Sequence, residues 1–255
     1  MGGTVTVKQL VLGDRRPKIC VPLCDATTES LVWGAVLAKA AAADLVEWRA
    51  DYYEHAEDTE SVLRTAQSLY GSMGETPLLF TLRTKEEGGQ CERTREQYEK
   101  LCHEVIDSGF ADAIDIELSA GDERVERLVD AAQKKGIKAI VSSHDFQRTP
   151  PREAMLNRLA RMCKLGADIP KLAVMPRNFE DVLSLLAITE SFERQSDCPV
   201  ITVSMGKLGV ISRISGAYTG SALTFGTAET SSAPGQLGIQ ALREILEVLE
   251  RGENE

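Results

Sequence analysis

Positive charge is what this chain most lacks: 29 Lys and Arg stand against 39 Asp and Glu over 255 residues, a formal charge of −10. No basic stripe of the kind that tracks a phosphate backbone is left, which sets nucleic acid and anionic membrane surfaces aside as partners. No apolar run approaches the ~20 residues of a membrane span. The start, Met1-Gly2-Gly3-Thr4-Val5, has neither the basic opening nor the apolar core of a secretory signal, so a cytoplasmic location is expected. Histidine is scarce, with only His55, His103 and His144. The six cysteines, at 20, 24, 91, 102, 163 and 198, include no Cys-x-x-Cys pair and read as reduced, mostly buried thiols rather than a disulfide frame or a zinc site. Chemistry without a metal is expected. No Gly-x-Gly-x-x-Gly follows an apolar run, which argues against a dinucleotide-binding sheet. No Pro- or Ser-rich linker divides the chain, so residues 1–255 are expected to form a single domain.

What is present is a rhythm. Residues 4–12 alternate apolar and polar side chains, as a strand of an N-terminal β-hairpin would before Gly13 and Asp14 turn it. Eight short apolar runs follow, at 18–23, 45–49, 77–83, 113–118, 138–144, 170–175, 199–205 and 223–227. Amphipathic, helix-like segments separate most of them, at 29–42, 59–69, 93–108, 123–135, 152–165 and 179–194, and 236–251 closes the chain. Runs that are apolar throughout suit a parallel sheet covered on both faces. Eight βα units in about 250 residues predict an α/β fold of the (β/α)8 TIM-barrel type, with a doubly wound sheet as the competitor. Polar, turn-forming residues 227–236 follow the last run, where a lid over the barrel mouth or a plain surface connection would fit.

Catalytic side chains of such barrels come from the C-terminal ends of several strands. Lys171 lies inside the sixth apolar run. Burial of a lysine disfavours the ammonium and leaves an amine able to attack a carbonyl, although a strand-end lysine also snorkels to solvent. His144 ends the preceding run, placed for proton transfer or for a structural hydrogen bond. Glu47 and Arg49, two residues apart at the end of the second run, share one face and form either a polar clamp or an ion pair. Arg83 ends the third run, and Gly88 and Gly89 would let the next loop fold back over it; nothing local separates Glu86 from Glu87. Arg213 offers a planar fork for a carboxylate or phosphate.

Taken together these residues resemble the type I 3-dehydroquinate dehydratases. The resemblance is carried by Glu47-Trp48-Arg49-Ala50-Asp51, by Phe80-Thr81-Leu82-Arg83 with Glu87-Gly88-Gly89, by Ser143-His144-Asp145-Phe146, by Pro170-Lys171, by Met205-Gly206 with Ser212-Arg213, and by Ser231-Ser232-Ala233-Pro234-Gly235-Gln236. It implies a cofactor-free, commonly dimeric barrel that converts 3-dehydroquinate to 3-dehydroshikimate through an imine on Lys171. His144 would be the general acid and base, and Glu87 its partner. Glu47, Arg49 and Arg83 would hold substrate hydroxyls, Arg213 the substrate carboxylate, and Ser232 and Gln236 the lid. The family often carries a small hydroxyl residue in the first strand, where this chain has Pro22, so that strand is assigned no site residue. A Schiff-base aldolase and a catalytically silent barrel binding a polyhydroxylated acid are the competing readings.

Overall fold

The computed structural model describes residues 2–228 and 235–252. A hairpin of β1 (Val5–Val7) and β2 (Leu10–Leu12) comes first. Its reversal lies within the alternating stretch, at Lys8, which takes φ +52°, rather than after Leu12.

The barrel follows as β3 (Lys18–Leu23), α1 (Thr28–Ala40), β4 (Leu45–Arg49), α2 (Thr59–Met73), β5 (Leu78–Thr81), α3 (Arg95–Ser108), β6 (Ala113–Glu117), α4 (Asp122–Lys134), β7 (Lys138–Asp145), α5 (Arg152–Lys164), β8 (Ile169–Val174), α6 (Phe179–Gln195) and β9 (Ile201–Ser204). Two short helices, α7 (Val210–Ile214) and α8 (Gly216–Thr219), lead to β10 (Leu223–Thr227). A two-residue β11 (Leu237–Gly238) adds to the edge of β10 before α9 (Ile239–Gly252). Strands β3 to β9 pair in parallel in chain order, and β10 pairs with β3. The parallel bridge between Val200 and Ser221 joins the β9 side to the β10 side and closes the (β/α)8 barrel.

Side-chain alternation along these strands sorts the residues into two layers. The outward set, including Ile19, Val46, Trp48, Phe80, Ile114, Val141 and Leu172, packs with Leu31, Leu69, Leu101, Leu128 and Leu159 of the helices. The inward set begins with one apolar residue from each of the eight strands: Cys20, Leu45, Leu79, Ala113, Ile140, Ile169, Ile201 and Leu223. Val7 and Leu12 of the hairpin pack onto this floor and seal the N-terminal end. Only the other end of the barrel is left for polar chemistry.

Helix starts are marked locally: Thr27, Asp58 and Asn178 accept hydrogen bonds from the first turns of α1, α2 and α6, and Thr94 with Gln97 forms a capping box on α3. The six cysteines are free; Cys20, Cys91 and Cys102 are buried, and Cys163 and Cys198 face each other with their Sγ atoms 3.4 Å apart. No helix among the described residues is long and apolar enough to cross a membrane.

Candidate active site

Two residues above the apolar floor, the same inward face turns polar. It presents Glu47 then Arg49 on β4, Thr81 then Arg83 at β5, Asp115 then Glu117 on β6, Ser142 then His144 on β7, and Lys171 on β8. Strand register sets them side by side: Arg49 pairs with Thr81 and Thr81 with Asp115, while Glu117 pairs with Ser142 and Ser142 with Lys171. Almost all are buried, so each polar atom needs a partner inside the barrel.

Lys171 is 4% exposed, and its Nζ donates to Asp115 Oδ2 at 2.9 Å. Glu47 Oε1 lies 3.8 Å from the same nitrogen, and the Phe225 ring centroid 4.8 Å. Arg83 is held by acids: Nη2 stands 2.8 Å from Asp115 Oδ2, Nη1 donates to Glu117 Oε1 at 2.9 Å, and Glu87 Oε2 is 3.6 Å away. Ser142 Oγ accepts from Arg83 Nη1 at 3.0 Å and donates to Asp115 Oδ1 at 2.6 Å. Against the burial that would raise it, the charges of Arg83 and Lys171 hold the Asp115 carboxyl well below the usual carboxylate range. Arg49 is gripped in bidentate fashion by Asp51, Nε to Oδ1 at 2.7 Å and Nη2 to Oδ2 at 2.8 Å. Glu47 accepts from Thr81 Oγ1 at 2.8 Å.

The loop after β5 brings in Glu87 on a single 3-10 turn, Lys85–Glu87. Gly88 ends it at φ +80°, against the Phe146 ring, and Gly89 passes so close to Arg83 that a Cβ would sit 2.1 Å from that carbonyl oxygen. The fold-back expected of these glycines is thus a steric necessity. It sets Glu87 Oε2 2.8 Å from His144 Nδ1, leaving Nε2 of the imidazole for the cavity. Burial, then the positive charges of Arg83 and Lys171, push His144 well below the ordinary histidine value. Burial, with Glu117 nearby, pushes Glu87 up to about 8, although Arg83 pulls the other way. Two groups that would otherwise form a simple ion pair are therefore biased toward sharing their proton without separated charge.

These groups open on one cavity of about 210 Å³. Glu47, Arg49, Arg83, Glu87, His144, Lys171, Arg213 and Gln236 supply its polar lining, and Phe146, Ala173, Val203, Met205 and Phe225 its apolar lining. Arg213 reaches it from α7, 2% exposed, with burial lowering its guanidinium to about 10. The turn before α7 is drawn tight by Ser212, whose Oγ donates to Gly209 O at 2.7 Å and accepts from Ser204 N at 2.9 Å. Of the sequence-predicted site residues, all line this cavity except Ser232, which lies outside the described residues. Pro22 is not part of the lining.

The sequence reading passed over Asp115, Glu117 and Ser142. The signal was available, because Ala113-Ile114-Asp115-Ile116-Glu117 carries two carboxylates at the two-residue spacing that singled out Glu47 and Arg49. The nearest charges to Lys171 Nζ are the carboxylates of Asp115 and Glu47, because Arg83 is turned toward acids of its own.

Residues 19–253 match the family model described as type I 3-dehydroquinase. A 3-dehydroquinate dehydratase of Clostridioides difficile is 44% identical over 98% of both chains, and one of Syntrophotalea carbinolica is 47% identical over 96% of this chain and 98% of its own. Among solved structures, a type I 3-dehydroquinate dehydratase of Clostridium difficile with covalently modified comenic acid superposes with a TM-score of 0.94 at 42% identity, covering 98% of this chain and 99% of that one. A 3-dehydroquinate dehydratase of Geobacillus kaustophilus gives 0.94 at 37%, covering 97% and 96%.

Proposed function

The chain belongs to the type I 3-dehydroquinases, and on that premise we propose that it removes water from 3-dehydroquinate through an imine formed on Lys171. The observation that carries the reading is the placing of a buried lysine and a carboxylate-backed histidine in one small cavity closed at its base by the barrel floor.

Lys171 Nζ adds to the ring ketone, and loss of water leaves an iminium. That cation is an electron sink and acidifies the adjacent C–H bond. His144 Nε2, on the neighbouring strand, takes this proton; Glu87 at Nδ1 holds the ring in the orientation and tautomer that expose Nε2. The imidazolium then hands the proton to the departing hydroxyl. A histidine whose burial disfavours the charged form gives that proton up readily.

Arg213 suits the substrate carboxylate: it is a nearly buried cation that reaches the cavity from α7. Glu47 and Arg49 face the hydroxyls, Arg49 with Nη1 left over once Asp51 has taken Nε and Nη2. Arg83 serves chiefly to fix Asp115, Glu117 and Glu87 at the wall of the site, with its contact to substrate secondary. Gln236, and Ser232 beyond the described residues, would close the cavity and keep bulk water from the imine. A cytoplasmic homodimer working in aromatic amino-acid biosynthesis, without added cofactor, completes the proposal.

Incubation with 3-dehydroquinate should produce the ultraviolet absorbance of a conjugated enone. Sodium borohydride added with substrate should abolish it and leave a mass increment on the peptide bearing Lys171. Absorbance that borohydride leaves untouched would remove the imine, and trapping on any other residue would remove Lys171.

A further inference from the structure

The proposed chemistry uses Lys171, His144 and Glu87 but leaves the most buried carboxylate at the reacting nitrogen without a task. Asp115 is 1% exposed, and three donors converge on it: Lys171 Nζ at 2.9 Å, Arg83 Nη2 at 2.8 Å and Ser142 Oγ at 2.6 Å. A buried charge so fully satisfied is held in one orientation. The Lys171–Asp115 contact spans two strands that are not neighbours, since β7 lies between β6 and β8. Ser142, from that intervening strand, supplies the third donor.

We propose that Asp115 is the counter-ion of the nitrogen, paired with Lys171 in the free enzyme and with the protonated iminium formed from it, and that Arg83 and Ser142 are there to hold Asp115 in place. The inference rests on the imine reading given above. The balance of the step makes the case. Overall, an ammonium R–NH3+ and a ketone O=CR2 give an iminium R–NH+=CR2 and water: the nitrogen gives up one proton before its lone pair adds to the carbonyl carbon and a second as the carbinolamine loses its oxygen, both protons leave with that oxygen, the C=O bond is replaced by C=N, and the positive charge is restored on nitrogen. A carboxylate already paired with the ammonium therefore needs no rearrangement to pair with the iminium, and fixed charge of this kind is the cheapest way to stabilise a charge that persists. The iminium keeps a single N–H. Of the two carboxylates at that nitrogen, Asp115 is within hydrogen-bond distance and Glu47, at 3.8 Å, is not. Glu47 is thereby left for the substrate.

The need for a counter-ion is visible in the rest of the site. An imine nitrogen is a weaker base than the amine it came from, and a neutral imine is a poor electron sink. Arg49, Arg83 and Arg213 all line the same cavity and disfavour a further positive charge. The remaining titratable neighbours, Cys20 from β3, Glu47, Glu87 and His144, offer no other acceptor at hydrogen-bond distance from Nζ among the described residues.

The test is Asp115→Asn, which keeps the shape and removes the charge, assayed over a pH series with substrate and cyanoborohydride, a reductant that takes the protonated imine in preference to the neutral one. Wild type should be trapped over the whole range. In Asp115→Asn, trapping should persist at low pH and fall as pH rises, with the alkaline limb of kcat displaced downward by at least one pH unit, a tenfold loss at a fixed pH on that limb. Trapping reduced equally at every pH, or an alkaline limb that coincides with wild type, would overturn the assignment. Ser142→Ala removes one of the three donors and leaves the carboxylate; it should show a smaller displacement in the same direction, and it decides the matter if Asp115→Asn does not fold. Failure to trap wild-type protein would instead remove the imine itself.

Discussion

His144 Nδ1 and Glu87 Oε2 stand 2.8 Å apart, joining the end of β7 to a one-turn helix in the loop after β5. Nothing in the chain between residues 87 and 144 makes this contact local; barrel closure makes it.

His144→Ala should still form the imine, because the attacking nitrogen and its partners are untouched. Turnover should fall roughly 10²–10⁴-fold, the usual worth of a positioned acid or base. Borohydride trapping of the variant beside its kcat checks both halves, and loss of trapping together with turnover would mean that His144 serves the addition step instead.

Glu87 is pushed up to about 8 from an ordinary 4.5, so the folded protein binds this proton more tightly than the unfolded chain. Its contribution to stability is complete below pH 4.5 and is lost as pH rises toward 8. Against Glu87→Gln, the wild-type unfolding free energy should therefore decline across that window and level off above it. Urea midpoints for both proteins through the window measure it; a difference that does not vary with pH would mean that the buried carboxyl stays ionised.

Arg213→Ala should act mainly on binding. Loss of a charge-assisted hydrogen bond to a carboxylate costs about 1.5–3 kcal/mol, so KM should rise ~10–100-fold with a smaller change in kcat. An unchanged KM would move the carboxylate site elsewhere in the cavity.

Gly89→Ala should destabilise the protein by about 1–3 kcal/mol, since the new Cβ would meet the Arg83 carbonyl at 2.1 Å and the loop has to shift. The same shift carries Glu87 away from His144, so activity at neutral pH should fall alongside the urea midpoint. Gly71→Ala, in an open position on α2, serves as the comparison: it should leave activity unchanged and raise stability by about 0.5–1 kcal/mol, the usual gain of alanine over glycine inside a helix.

Much of this was legible in the chain. The apolar runs at 18–23, 45–49 and 223–227 coincide with β3, β4 and β10, because a strand covered on both faces leaves a continuous apolar signature. The run at 77–83 was read too long: β5 ends at Thr81, and past it Leu82 joins the outward core while the loop folds back over Arg83 at Gly89. Lys171, His144, Glu87 and the cavity-lining arginines were identifiable by residue type, strand-end position and resemblance.

The sequence by itself determined the strand and helix order, the side-chain alternation that separates inward from outward residues, and the presence of a lysine and a histidine on adjacent strands. Those are local properties, set by spacing along one stretch of chain. Tertiary structure alone decided which charges meet. Asp115 on β6 reaches Lys171 across β7, Arg83 faces three acids rather than solvent, and the floor of eight apolar side chains leaves a single end open. Pairings of that kind depend on how strands stagger around a closed barrel, and spacing along the chain carries no record of the stagger.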